Sequence, residues 1–351
     1  LKPKNKPRVC YLDGDGILFK SASSGEIVWR VAKDKDGNEI ARFDSVSAYN
    51  NWIFEIETFE TDIHYGYKGD VADITRETEY ELKDPKECEK VFKREVKKVL
   101  KATGCDEIRV YISKKAGTKV FRHKLATLHE YKKGRSNQRK PYYLEYVRKF
   151  ARGLNGVVVV RGDIEVDDRV VELAEKGGRN ACLAAEDKDS LQAKGCWVYH
   201  IGKHEKPVWS NPKIVGRIGK RDNGSTKMLG WLSLMYQMMK GDKQVDGIVG
   251  LPKYGDKKAY ELLKEFDNKP INVLPEVVRT VLREYYRVYG ESHEYEHWDG
   301  SVVVSGSYKS IFEENLLLLY MRRFKDDNCR VIMNIVDNIT IEELEKEAQD
   351  L

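Results

Sequence analysis

Two rhythms of apolar and polar positions run along this chain. Nearly unbroken apolar runs at 9–12, 108–112, 157–160 and 181–185 read as short strands covered on both faces. Between them the period lengthens to that of a helix. Residues 84–103, opened by Asp84-Pro85 and stopped by Gly104, line up Cys88, Val91, Phe92, Val96, Val99 and Leu100 on one face. Residues 166–176 do the same with Val166, Val170, Leu173 and Ala174. Strand–helix–strand repetition of this kind predicts an α/β fold, a mostly parallel sheet with helices on both faces. A two-residue alternation around Asp36-Gly37-Asn38 predicts a hairpin over 26–44, and a helix is expected over 45–57. After a last strand at 196–201 the pattern changes. A basic loop at 203–220 leads to helices expected over 228–240, from 256, over 275–289 and over 311–323. Two parts are therefore expected, 1–202 and a helical 203–351.

Composition narrows the class. Hydrophobic residues make up 41% of the 351 and aromatics 10%, enough for a substantial core. The longest unbroken apolar run, 316–321, is six residues, so no membrane span is expected. The basic start of the chain has no apolar stretch of a secretory signal. The six cysteines are scattered and form no C-x-x-C pair, which suits a reducing cytoplasm.

Net charge is +5 overall, but residues 114–152 hold 13 Lys/Arg against 2 Asp/Glu, a net of +11 that leaves −6 for the rest. Tyr131, Tyr142, Tyr143 and Tyr146 interleave these cations and offer stacking surfaces. Most charge runs are solvated faces. One that alternates with aromatics suits a polyanion.

The acidic residues are as clustered as the basic ones. Glu165, Asp167 and Asp168 open the helix at 166, and Asp187 and Asp189 follow the strand at 181–185. Asp13 and Asp15 follow the strand at 9–12. Glu165 and Asp168 share one face of the first turn, with Asp167 rotated away by about 100°. Acidic first turns also serve the helix dipole alone. Carboxylates at several strand ends instead call for a counter-charge, and divalent metal is the economical one. Between two expected helices, residues 241–255 are glycine-rich and carry Asp242 and Asp246. Such glycines let backbone N–H groups approach phosphate. Asp34-Lys35-Asp36-Gly37-Asn38-Glu39 echoes a calcium loop but lacks its terminal bidentate Glu, so a hairpin turn is expected. The i, i+4 pairs His200/His204 and His293/His297 lack the accompanying residues of a zinc site.

Five motifs in order, Leu12-Asp13-Gly14-Asp15, Tyr131-Lys132-Lys133-Gly134-Arg135, Glu165-Val166-Asp167-Asp168, Asp187-Lys188-Asp189 and Lys240-Gly241-Asp242 through Gly255, resemble the flap endonuclease / 5′→3′ exonuclease family, most closely its bacteriophage members. The resemblance covers about residues 8–20 and 106–265. It implies a PIN-like nuclease core at 1–202, with a helical arch at 114–152, and a DNA-binding part at 203–351 with a helix-three-turn-helix motif at 228–265. It implies two Mg²⁺ ions, with Mn²⁺ as a substitute, held by Asp13, Asp15, Glu165, Asp167, Asp168, Asp187, Asp189, Asp242 and Asp246. Lys132 and Arg135 would face the scissile phosphate. Lys133, Arg139, Lys140, Gly247, Gly250, Lys253 and Gly255 would touch DNA, with K⁺ at the glycine loop. The implied activity is structure-specific 5′ cleavage of duplex ends, 5′ flaps or RNA–DNA hybrids, including RNA primers, by a monomer in the cytoplasm of a host cell. One position departs from the family: Lys114 stands where it places an Asp. Asp15 is one replacement for that carboxylate; a nuclease-impaired DNA binder is the alternative, and an RNA-directed nuclease a third reading.

Overall fold

In a computed structural model the chain is described over residues 7–59, 69–115, 119–136, 138–243 and 246–349. It divides into two compact units. Leu1–Gly16, Val96–Arg139 and Leu154–Leu351 make one; Ile17–Glu95 and Lys140–Gly153 make the other.

The first unit is built on a six-stranded sheet of β1 (Val9–Asp13), β5 (Glu107–Ser113), β6 (Val157–Val160), β7 (Ala181–Ala185), β8 (Trp197–His200) and β9 (Val208–Trp209). The order is β6-β5-β1-β7-β8-β9, all parallel except β9. Helix α7 (Val166–Gly177) packs Val170, Val171 and Ala174 against Tyr111, Ala181 and Leu183 of one sheet face. On the other face Cys10, Leu12, Val110, Ile112, Cys182 and Ala184 are at most 3% exposed. Burial on both sides is why the central strands read as apolar runs. At the end of β1 the chain turns directly into α1 (Asp15–Ser23). A Cβ on Gly14 would lie 2.5 Å from the Val110 side chain, so this close approach to β5 requires glycine. The turn delivers Asp13 and Asp15 to the carboxyl edge of the sheet, where catalytic groups of open α/β sheets collect.

Beyond β9 the same unit continues with a hairpin, β10 (Gly216–Lys220) and β11 (Thr226–Gly230), then α8 (Trp231–Lys240), α9 (Asp256–Leu263) and α10 (Leu274–Tyr289). A second hairpin, β12 (His293–Glu296) and β13 (Val303–Gly306), precedes α11 (Tyr308–Leu319), α12 (Arg330–Asp337) and α13 (Ile341–Gln349). Residues 231–239 of α8 are all buried, and the helix is packed in the core shared with α10 and α11. Two expectations are corrected here. The stretch expected as a loop to 220 ends in a strand, and the helix expected from 228 begins only at Trp231. Thr226-Lys227-Met228-Leu229 satisfies its backbone across the hairpin instead, and Gly230, at φ 73°, breaks it from α8. The helix expected over 311–323 ends at Leu319, because Tyr320 is extended. In the basic segment, α4 (Arg122–Leu125) and α5 (Lys133–Ser136) are single turns of helix.

The second unit holds an antiparallel sheet of order β3-β2-β4, from β2 (Glu26–Lys33), β3 (Glu39–Phe43) and β4 (Thr75–Leu82). Helix α2 (Val46–Phe59) sets Tyr49 and Trp52 against Ala32 and Phe43. The Asp34–Asn38 stretch is the hairpin turn, with Asp34 Oδ1 accepting from the amides of Asp36 (2.9 Å) and Asn38 (2.8 Å). Residues of α3 (Pro85–Thr103) and α6 (Leu144–Arg152) also contribute, with Phe92 and Phe150 edge to face. Among the described residues no helix is long and apolar enough to cross a membrane.

Candidate active site

Four aspartates meet at the carboxyl edge of the sheet, carried there by three turns of chain. Asp13 ends β1 and accepts a hydrogen bond from the Asp15 amide at 3.1 Å. Asp167 lies in the first turn of α7. Asp187 caps the short 3₁₀ helix Lys188–Gln192 that follows β7, accepting from the Asp189 amide at 3.0 Å. Asp189, in that helix, is 6% exposed, and its buried Oδ1 has no hydrogen-bond partner.

Their mutual repulsion is visible in the ionisation of Asp13, Asp167 and Asp189. Burial, then Asp167, Asp15 and Asp187, push the Asp13 carboxyl well above the usual range. Burial and the nearby Glu165 and Asp187 raise Asp167 to about 7, against the pull of Lys132. Burial and Asp187, with Asp246 and Asp167 behind them, raise Asp189 strongly. Buried carboxylates arranged this way gain from a cation. Among the described residues, however, no three His, Cys, Asp or Glu side chains are already set around a single metal position. Occupancy would need side-chain adjustment.

Glu165 and Asp168 have the opposite environment. The guanidinium of Arg122, fully buried, donates to Glu165 Oε2 at 2.6 Å and to both carboxylate oxygens of Asp168 at 2.8 and 2.9 Å. Its remaining donors reach the carbonyls of Leu318 (3.0 Å) and Tyr320 (2.8 Å). Lys132 also donates to Glu165, as does the Tyr131 hydroxyl at 3.1 Å. Burial opposes ionisation of Glu165, but Arg122 and Lys132 outweigh it and hold the carboxyl at about 2. Burial likewise opposes the Arg122 charge and is overcome by Asp168 and Glu165. The shared face of Glu165 and Asp168 therefore looks toward cations, and Asp167 alone of the three looks toward Asp13, Asp187 and Asp189.

The remaining sequence-derived residues are spread around this centre. Asp15 accepts from the Ser113 amide at 3.0 Å, so its carboxylate sits at the end of β5 beside the exposed Lys114. Asp242 is bridged to Lys188 at 2.6 Å. Asp246 is 5% exposed, and its carbonyl accepts from the Lys132 amide at 2.9 Å. That contact seats the glycine loop against the basic segment. A Cβ on Gly247, at φ 75°, would lie 2.5 Å from the Glu130 carbonyl oxygen. Gly250, Lys253 and Gly255 follow in this loop, with Gly255 preceding α9. Lys133, Arg139 and Lys140 are exposed. Arg135 lies within α5, but its side chain is outside the described residues.

Sequence reasoning missed Arg122 and Gln192. Arg122 was counted among the cations of a basic surface. The available signal was its place beside two apolar residues, Val120 and Phe121, both of which are buried.

No known protein family's sequence profile matches the chain, and no curated protein is significantly similar to it in sequence. Solved structures similar to it include bacteriophage T5 proteins. One is a flap endonuclease with lysine in place of an aspartate, described as a pseudo-enzyme–product complex with DNA and metal ions. It is 12% identical at a TM-score of 0.42, over 98% of this chain and 97% of that one. A 5′-exonuclease variant with alanine in place of a lysine is 13% identical at a TM-score of 0.39, over 98% of each chain. A third, co-crystallised with metal ions, is 14% identical at a TM-score of 0.39, over 74% of this chain and 90% of that one.

Proposed function

We propose that this chain is a metal-dependent nuclease acting on duplex or branched DNA. The observation that carries the reading is the convergence of Asp13, Asp167, Asp187 and Asp189, with ionisation disfavoured at Asp13, Asp167 and Asp189 and an unpartnered buried oxygen on Asp189. A cluster of carboxylates that repel one another is costly to the fold, and a bound cation relieves the cost. These four, with Asp15 and Asp246 nearby, would hold two Mg²⁺ or Mn²⁺ ions, which supply Lewis-acid activation of water and phosphate when bound. Asp242 would contribute less, being committed to Lys188. The chain's own residues supply the rest. Lys132 keeps its proton in the field of Glu165 and Asp167, so it presents a fixed positive charge beside the aspartates. Lys133, Arg139 and Lys140, with Arg135, would hold the polyanion. Gly247, Gly250, Lys253 and Gly255 would admit a duplex backbone, with carbonyls available to K⁺. In this reading 1–202 carries the chemistry and 203–351 the duplex.

The 5′ polarity and the preference for flaps, duplex ends or RNA–DNA hybrids are what the resemblance of the five sequence motifs implies. Asp15, rather than Lys114, would supply the carboxylate at the end of β5, which favours an active enzyme over an impaired one. Incubation with a 5′-labelled flap duplex, with Mg²⁺ and with EDTA, tests the reading. Cleavage is expected only with Mg²⁺. Asp187→Ala should lower it by at least ~100-fold, the scale of one lost transition-state electrostatic contact, with DNA binding kept. Near-normal turnover in that variant would sink the assignment.

A further inference from the structure

The two acidic motifs of the candidate site lie 19 positions apart in sequence, from Asp168 to Asp187, yet one short segment, residues 318–323, touches the supports of both. On one side Leu318 and Tyr320 offer their carbonyls to Arg122, which grips Glu165 and Asp168. The Arg322 amide then donates to Asp168 Oδ1 directly, at 2.8 Å. On the other side the Gln192 side chain, 2% exposed, donates to the Leu319 carbonyl at 2.8 Å and accepts from the Met321 amide at 3.3 Å. Gln192 closes the same 3₁₀ helix that holds Asp189 and is capped by Asp187. Arg323 adds contacts to the Gln192 carbonyl at 3.2 Å and to Glu175 of α7 at 3.1 Å. Leu318 and Leu319 end α11 and Tyr320 is extended, so these last carbonyls and the amides beyond them are not consumed by the helix and remain available to these partners.

We infer that residues 318–323 are a strap that sets the spacing between the two acidic motifs, with Arg122 and Gln192 as its positioning residues. This rests on the metal-nuclease reading for its consequence, though not for its existence. Neither Arg122 nor Gln192 belongs to the group of aspartates that would meet the metal. Arg122 acts through the Glu165 and Asp168 side chains of the turn that carries Asp167, and Gln192 through the 3₁₀ helix that carries Asp189. Groups that support ligands without touching the ion commonly change affinity or activity by about 10- to 100-fold when removed.

The test uses the full chain with Gln192→Ala and Arg122→Lys. Hydrogen exchange reads the strap without metal. In Gln192→Ala the amides of Asp189, Ala193, Met321 and Arg322 should exchange about tenfold faster or more, while those of α10 hold their wild-type rates. Mn²⁺ titration followed by electron paramagnetic resonance reads the consequence. Affinity should fall by about 10- to 100-fold in each variant. kcat on flap DNA should fall with KM nearly constant, and excess Mn²⁺ should restore part of the rate. If Arg122→Lys does not fold, Gln192→Ala still decides, because its change removes no charge. Unchanged exchange and unchanged Mn²⁺ affinity in Gln192→Ala would overturn the strap. A uniform rise in exchange, including α10, would overturn it too, since that is general destabilisation. A wild-type protein that binds no Mn²⁺ and cuts nothing would end the metal-nuclease reading. The exchange pattern would then still decide whether the strap exists.

Discussion

The two faces of the α7 N-terminus carry the same chemistry and opposite electrostatics. On one face, half-buried Glu165 and buried Asp168 pair with Arg122, which helps hold Glu165 ionised. On the other, half-buried Asp167 faces Asp13, Asp187 and Asp189 and resists ionisation. A single turn of helix separates a satisfied pair from an unsatisfied cluster. The difference teaches that carboxylates of one motif need not share one job: the first face anchors the helix, and the second is left open to a cation.

Breaking the satisfied face should have the largest effect. Arg122→Met leaves buried Asp168 without its cation and Glu165 with Lys132 alone, so unfolding in urea should show a loss of about 3–5 kcal/mol. A loss under about 1 kcal/mol would mean that the two faces are alike after all.

Acidity should separate the faces next, because their signs differ. Asp167 titrates at about 7 in the folded chain, above its unfolded value near 4. The folded state therefore binds more protons between these values, and metal-free stability should rise as pH falls from 7 toward 4, at up to about 1.4 kcal/mol per pH unit. Glu165 acts in reverse. Its folded value of about 2 lies below the unfolded one, so its contribution is present above about pH 4.3 and is lost as pH falls through 2. Melting curves at pH 7, 5.5 and 4, repeated with saturating Mg²⁺, would show the first effect and its suppression by metal. Stability that falls steadily from pH 7 to 4 without metal would count against the unsatisfied cluster.

A smaller and more specific change sharpens the same contrast. Asp189→Asn replaces a carboxyl whose ionisation its neighbours disfavour with a neutral isostere, so the metal-free protein should gain stability at neutral to alkaline pH. Cleavage should be lost in the same variant. Gain of stability with loss of activity marks a site strained for its task; loss of both would assign Asp189 to the fold alone.

The smallest effect concerns the exposed cations, which belong to neither face. Lys133→Ala/Arg139→Ala should reduce the log–log salt slope of DNA binding by ~0.9 for each phosphate contact removed. An unchanged slope would leave them as solvated surface.

What the sequence disclosed follows from which interactions leave a pattern. The strand at 181–185 was legible to the residue, because burial on both faces writes an apolar run; the edge strand at 157–160 was legible as four consecutive valines, although Val158 is exposed. β4 went unread: Thr-Arg-Glu-Thr-Glu-Tyr-Glu-Leu is almost wholly exposed, so no burial period marks it. The acidic positions were legible as a set through their crowding at strand ends. Their division into two groups was not, since it depends on Arg122 folding inward from a segment whose other cations are largely solvent-facing. A count of charges does not say which of them loses its water. Gln192 was equally silent, as its amide meets partners about 127 residues away in sequence.

The order of the main sheet also bears on how the chain is made. β1, the earliest of its strands, lies in the middle, between β5 and β7. Both neighbours are encoded roughly a hundred residues or more downstream, so during synthesis β1 waits with two unpaired edges. Such distant pairing makes folding slow and the nascent chain prone to association. Slowing translation after β1 should therefore lower soluble yield more than slowing it after β8, when every parallel neighbour already exists.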